Sequence, residues 1–176
     1  MSQTKYRGDG GEVCRLLAGA SNAIAGLRHC WLVTEAEGGG SNARPMGHVV
    51  PDADENDWII CFIADRRSRK ASDVRRAGKV GLIFQHDRGD AFVAMSGSAT
   101  LIEAASEIRE LWRDAYDAYV PAKADRTNVA ILQVAVGSME LWIRGVTQEP
   151  FGLRPTKLER DASGNWHLIS GEHTAR

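Results

Sequence analysis

The sequence predicts a mainly β domain with flanking helices, its strands antiparallel. Three observations carry this. Short apolar runs of strand length, bounded by turn residues, outnumber the helical periodicities. These strands do not alternate regularly with helices, which disfavours a doubly wound parallel sheet. A chain of 176 residues with no internal repeat fits one domain, and about six short strands can close into a small barrel without exposed edges. Residues 1–11 are expected to be a polar tail, 12–150 the domain, and 151–176 a hairpin extension of it.

The elements follow in order. Val13, Leu16, Leu17, Ala20, Ile24 and Leu27 recur at helical spacing and mark an amphipathic helix, weakened by Gly19 and Gly26. Cys30 to Thr34 is a β-type run, and Gly38 to Asn42 a loop. Ala43 to Val50 is a second extended run, in which Pro45 points to an edge or a strand start. Asp52 to Asp57 is an acidic turn. Trp58 to Ile63 lacks a polar face, so it is expected to be buried on both sides, under a helix or at a subunit interface. Asp65 to Gly78 is basic with helical character. Strands Val80 to Gln85 and Phe92 to Ile102 flank a turn over His86 to Asp90. Ile108, Leu111, Trp112, Ala115 and Tyr119 mark a second amphipathic helix. Val129 to Val136 and Met139 to Ile143 are two further strands, and Lys157 to Ile169 reads as a hairpin around Asp161 to Gly164.

Composition narrows the function. The hydrophobic fraction is 43%, the charged fraction 26% and the net charge −1, so nothing draws the whole chain to nucleic acid or anionic lipid. No apolar run reaches the length of a membrane span. Met1 to Gly11 has no apolar signal core, and Cys14, Cys30 and Cys61 are odd in number with no CxxC, so a cytoplasmic protein with unpaired thiols is expected. The five histidines are scattered without zinc-site spacing. Asp52 to Asn56 resembles the start of a calcium loop, but Asp57 and Ile63 stand where glycine and glutamate are needed. Gly38 to Ser41 lacks the Lys-Ser/Thr ending of a phosphate loop.

The informative stretch is Arg66 to Lys70. A helix start offers unpaired N–H groups and partial positive charge; Ser68 can cap it, Arg69 can clamp two oxygens, and Lys70 adds a point charge. The set suits a phosphate monoester. A solvated basic helix face is the alternative, since seven Lys or Arg side chains lie between Arg66 and Lys79. Pro45 biases Arg44 to an extended backbone, from which its guanidinium could reach the same anion or simply face water.

Taken in order, the first helix, Trp31 to Thr34, Ala43-Arg44-Pro45-Met46, Trp58 to Ala64, Ser68-Arg69-Lys70, Ser96 to Ala99 within Val93 to Ala99, and Glu140-Leu141-Trp142 resemble the pyridoxamine 5′-phosphate oxidase-like FMN-binding split barrels. The likeness is greatest to their bacterial general stress protein branch, which Trp112 and Tyr119 to Pro121 also fit. The resemblance implies a six-stranded antiparallel split β-barrel and a homodimer with FMN at the subunit interface. Arg44 and Ser68-Arg69-Lys70 would hold the phosphate. The backbone of Arg44, Pro45, Met46 and Gly47 and of Phe62, Ile63 and Ala64 would lie along the flavin ring. Trp142 would approach the ring, often from the partner, or else be a core residue. Val49, Ala64 and Phe92 replace a lysine, a threonine and a glutamine of the oxidase, and Ile143 to Arg154 lacks its Arg-Leu-His-Asp-Arg stretch. This argues against oxidation of pyridoxamine 5′-phosphate. The implied function is that of an FMN-dependent oxidoreductase with no catalytic acid or base assigned. The alternatives are a non-catalytic flavin-binding or redox-sensing module, or a barrel using haem or a 5-deazaflavin. Nucleic-acid binding through Arg66 to Lys79 lacks the interleaved aromatics of a stacking platform.

Overall fold

The computed structural model describes residues 10–48, 58–86, 88, 90–120 and 123–169. The expected acidic turn over 52–57, Val49 and Val50, Pro121, and part of the 86–90 turn lie outside the described residues.

Among the described residues, eight strands and three α-helices follow one another in this order: α1 (Gly10–Ala25), β1 (His29–Glu35), β2 (Ser41–Gly47), β3 (Ile59–Asp65), α2 (Arg69–Ala77), β4 (Lys79–His86), β5 (Ala91–Ile102), α3 (Ala105–Leu111), β6 (Val129–Ile143), β7 (Thr156–Arg160) and β8 (Trp166–Ile169). The strand order is β2-β1-β4-β5-β6-β7-β8, with β3 also paired to β6. The path is open, because β2 and β8 end it. The seven strand runs expected before the tail are present as six strands, and the expected tail hairpin supplies two more.

The chain forms two compact units. One comprises Met1–Leu27, Ile83–Met95 and Gly137–Arg176. Its α1 buries Val13, Leu16, Leu17, Ala20 and Ile24, five of the six residues the periodicity marks; the sixth, Leu27, lies beyond the end of the helix. Its tail hairpin pairs Arg160 with Trp166 across the turn and Leu141 of β6 with Thr156. In that turn the Asp161 carboxylate accepts the amides of Ser163 and Asn165, which explains why the sequence reverses there.

The other unit comprises Arg28–Leu82 and Ser96–Val136. Here β1 and β2 form an antiparallel pair in which Thr34 faces Asn42, Leu32 faces Arg44 and Trp31 faces Pro45. Pro45 occupies an end strand, where its missing N–H is tolerated. β3 pairs with the first half of β6, with Ile63 opposite Ile131. α2 ends at Gly78, whose amide donates to the Val74 carbonyl.

Three expectations change. Val129 to Ile143 is one strand rather than two. β3 is buried on one face only: Ile60, Phe62 and Ala64 are in the core, while Ile59, Cys61 and Ile63 are half-buried. Its second apolar face is thus part of a cleft wall and is not fully covered. The helix expected over 108–119 breaks at Trp112, whose backbone is extended; α3 stops at Leu111, and a 3-10 turn carries Tyr116 into the core. The break serves side-chain contacts. Trp112 Nε1 donates to Asp117 (3.0 Å), Arg126 stacks over its ring at 4.0 Å, and Tyr116 meets it edge-on.

Gly97 marks a close approach. A β-carbon there would collide with the backbone carbonyl of Ala135 on β6. Gly97→Ala is expected to destabilise the fold by about 1–3 kcal/mol, because backbone cannot yield as a side chain can. Urea unfolding should show a lower midpoint with an unchanged slope.

Candidate functional site

The site is built on the β1–β2 pair, the end of β3 and the start of α2. Register places Thr34 directly across from Asn42 and diagonal to Arg44. α2 lays Asp73, 95% buried, against these three. The Thr34 hydroxyl donates to Asp73 Oδ2 at 2.7 Å, and the Asn42 amide donates to the same oxygen at 3.1 Å. Arg44 Nη2 donates to Thr34 Oγ1 at 3.0 Å and lies 3.5 Å from Asp73 Oδ2. Burial works to raise the Asp73 pKa. The hydrogen bonds from Thr34 and Asn42, and the charges of Arg44 and Arg76, outweigh it and hold the carboxylate below its usual value.

The opposite end of Arg44 is unsatisfied. Its Nη1 is buried with no hydrogen-bond partner among the described residues. An orphan cationic donor is costly to bury, so this atom is suited to an anion. Arg69 and Lys70 stand within electrostatic reach. Lys70 has its pKa lowered by burial and then by Arg44, and Arg44 is lowered by burial and, against the pull of Asp73, by Arg69. The other arginines of the basic run are engaged. Arg66 donates to the Thr127 carbonyl, Arg67 pairs with Asp65, Arg75 with Glu103 and Arg76 with Glu35. Arg69 and Lys70 have no hydrogen-bonded or ion-paired partner among the described residues. The basic surface is therefore largely neutralised, except beside Arg44.

Ser68 stands at the cap position of α2 with extended backbone, but its side chain makes no cap hydrogen bond. It donates instead to the Asp65 carbonyl at 2.6 Å. The capping role expected from the sequence is thus not made, because the preceding turn offers its carbonyl closer at hand. The hydroxyl oxygen keeps its acceptor capacity, and the first N–H groups of α2 keep theirs as donors.

A cleft of about 660 Å³ is lined by Lys70, together with Ile63, Ala64, Asp65, Tyr119 and Thr127 among others; Arg44 and Arg69 are not among its lining residues. Its size suits a cofactor. Phe62 points into the core and can reach the cleft only through backbone. Met46 shares the face of Arg44 on β2 and is half-buried, while Pro45 faces outward. Gly47 lies under the Tyr119 ring so closely that a β-carbon there would overlap it. Arg44, Gly47, Ile63, Ala64 and the start of α2 are thus gathered around one region. Trp142 is not among the residues lining it. It lines an apolar cleft of about 400 Å³ in the other unit, with Phe92, Val93 and Phe151.

Sequence reasoning missed the roles of Thr34, Asn42 and Asp73, and placed Tyr119 on the second helix and in the pattern of the branch but not at the site. One signal was present: Asp73 is a lone acid on a basic helix, next to the buried Val74.

The family model described as pyridoxamine 5′-phosphate oxidase like matches residues 19–153. The chain belongs to this family. Among solved structures, a protein related to general stress protein 26 from Clostridium acetobutylicum is 15% identical, with TM-score 0.66, covering 84% of this chain and 95% of that one. General stress protein 26 from Bacillus anthracis str. Sterne is 15% identical, with TM-score 0.61 and coverage of 82% and 98%. A pyridoxamine 5′-phosphate oxidase-related, FMN binding protein from Nostoc punctiforme is 17% identical, with TM-score 0.60 and coverage of 93% and 96%. No curated protein matches the chain in sequence. These likenesses establish the fold of the family, mainly antiparallel β with flanking helices, consistent with the expected split barrel. No described helix is long and apolar enough to cross a membrane.

The thiols differ in reactivity. Cys14 is exposed, whereas burial pushes the Cys30 thiol up to about 12. Cys61 is also raised, by burial, against hydrogen bonds with Tyr116 and Gln133. At pH 8 a thiol reagent should therefore modify one cysteine per native chain, Cys14, and all three after denaturation. Rapid modification of Cys30 in the native state would contradict this placement.

Proposed function

We propose that the chain is an FMN-binding flavoprotein of the general stress type, with an oxidoreductase role other than pyridoxamine 5′-phosphate oxidation. The observation that carries this reading is the buried Nη1 of Arg44, which has no partner among the described residues, within electrostatic reach of Arg69 and of Lys70, the latter lining a cleft of cofactor size. A terminal phosphate would satisfy all three cations. The α2 amides and the Ser68 oxygen would complete its shell. Ile63, Ala64 and the Tyr119 ring offer the apolar wall that a flat tricycle needs, and the backbone from Arg44 to Gly47 offers hydrogen bonds along its edge. Family membership supports a flavin.

When bound, a flavin supplies hydride or electron transfer. The chain's own groups would bind and orient it. Two charged groups of the cleft, Asp65 and Lys70, are suited to structure and anion binding rather than to proton transfer. Asp65 is held at about 2, chiefly by its hydrogen bonds with Arg67, and Lys70 remains a cation for the anion. The chemistry would therefore rest with the cofactor. The lack of the substrate-binding arginine and histidine run after Trp142 supports a substrate other than pyridoxamine 5′-phosphate.

A homodimer is part of the proposal. Trp142 lines a cleft of its own, with Phe92 and Phe151, and in the proposed dimer this tryptophan of one copy would approach the ring held by the other. The half-covered second face of β3 is apolar and would also be protected by association. Free thiols suit a cytoplasmic setting.

The purified protein should carry a flavin absorption spectrum, and mass spectrometry of the released ligand should give FMN. A haem or deazaflavin spectrum would overturn the cofactor assignment. Arg69→Ala combined with Lys70→Ala should weaken FMN binding by about 3 kcal/mol, on the order of 100-fold, without unfolding the chain. Unchanged FMN retention would remove the phosphate role of α2. Sedimentation should find a dimer; a folded monomer retaining flavin would contradict the shared site.

A further inference from the structure

Arg44 is gripped at one end and open at the other. Its Nη2 meets Thr34 and Asp73, while Nη1 is buried and has no partner among the described residues. The gripping carboxylate is itself fixed from several sides: Thr34 at 2.7 Å and Asn42 at 3.1 Å on Oδ2, and Arg76 at 3.9 Å from Oδ1. It arrives on α2, the helix that also carries Arg69 and Lys70. One helix therefore supplies both the cations for the anion and the anchor for the cation on the neighbouring strand.

We propose that Asp73 is a positioning residue of the anion site, holding Nη2 of Arg44 through a shared contact with Thr34 so that Nη1 is presented to a phosphate monoester. The proposal rests on the phosphate reading above. Charge alone gives Asp73 the opposite effect. A carboxylate near an anion site repels the anion, so removing it should tighten phosphate binding. Positioning predicts the reverse. An arginine released from its anchor can swing on four rotatable bonds and must be ordered again when the anion binds. The sign of the change separates the two effects.

The test uses the full chain, titrated with FMN and with riboflavin, which has the same ring and no phosphate. Asp73→Asn keeps the size of the side chain and removes its charge. It should weaken FMN binding about tenfold or more, the order expected for a lost charge-assisted hydrogen bond, and leave riboflavin binding unchanged. In an Arg44→Ala background the same substitution should have no further effect on the FMN-to-riboflavin ratio. Tighter FMN binding, an equal loss for both ligands, or an undiminished effect without Arg44 would overturn the role. Thr34→Val keeps the carboxylate and the volume, and covers the case in which Asp73→Asn fails to fold. It should cost FMN several-fold and riboflavin nothing; equal losses, or none, overturn the proposal. A wild-type chain that does not prefer FMN to riboflavin overturns the phosphate reading and the positioning role together. A preference kept intact in Asp73→Asn overturns the positioning role alone.

Discussion

A carboxylate buried among a hydroxyl, an amide and a guanidinium is the constraint on which the site depends. Asp73 is 95% buried, and its ionised form is tolerated because its partners replace the water it has lost. Removing one partner of such a group strands the rest, at a typical cost of about 3–5 kcal/mol. The arrangement fixes more than one side chain. It ties α2 to the β1–β2 pair, and so sets where the first turn of α2 meets Arg44.

That tie explains how a basic helix can serve a specific purpose. Most arginines of the helix and of the turn before it are spent on neighbouring acids and carbonyls: Arg67 on Asp65, Arg75 on Glu103, Arg76 on Glu35. Exposed pairs of this kind contribute little to stability. Their effect is to leave positive charge concentrated at Arg44, Arg69 and Lys70 rather than spread over the surface. A local excess of charge beside a cleft selects an anion of matching size, whereas a diffuse patch would attract polyanions in general.

Much of the fold is legible in the sequence because local rules set it. The spacing from Val13 to Ile24 defines α1, Pro45 declares an end strand, and Asp161 to Gly164 declares a turn. Arg44, Arg69 and Lys70 are legible as a cationic set by residue type, with the Ser68 hydroxyl next to them in sequence. What is not legible depends on contacts between distant segments. The helix over 108–119 breaks because Trp112 meets Asp117 and Arg126, and periodicity carries no record of Arg126. Asp73 reads as an ordinary helix acid until α2 is laid on β1. The second face of β3 reads as buried because its residues are apolar, although Ile63 instead faces a cleft. Apolar side chains line cofactor clefts as readily as cores, so composition cannot separate the two.

The proline of β2 has a consequence for the solution behaviour of the protein. β2 ends the sheet, and its outward face pairs Pro45 with the half-exposed Trp31. A terminal strand next to an exposed tryptophan would ordinarily be a template for runaway strand addition and fibril growth. A residue without an N–H near its middle interrupts the row of donors an incoming strand would need. The chain can thus keep an aromatic surface at its margin while resisting aggregation through it.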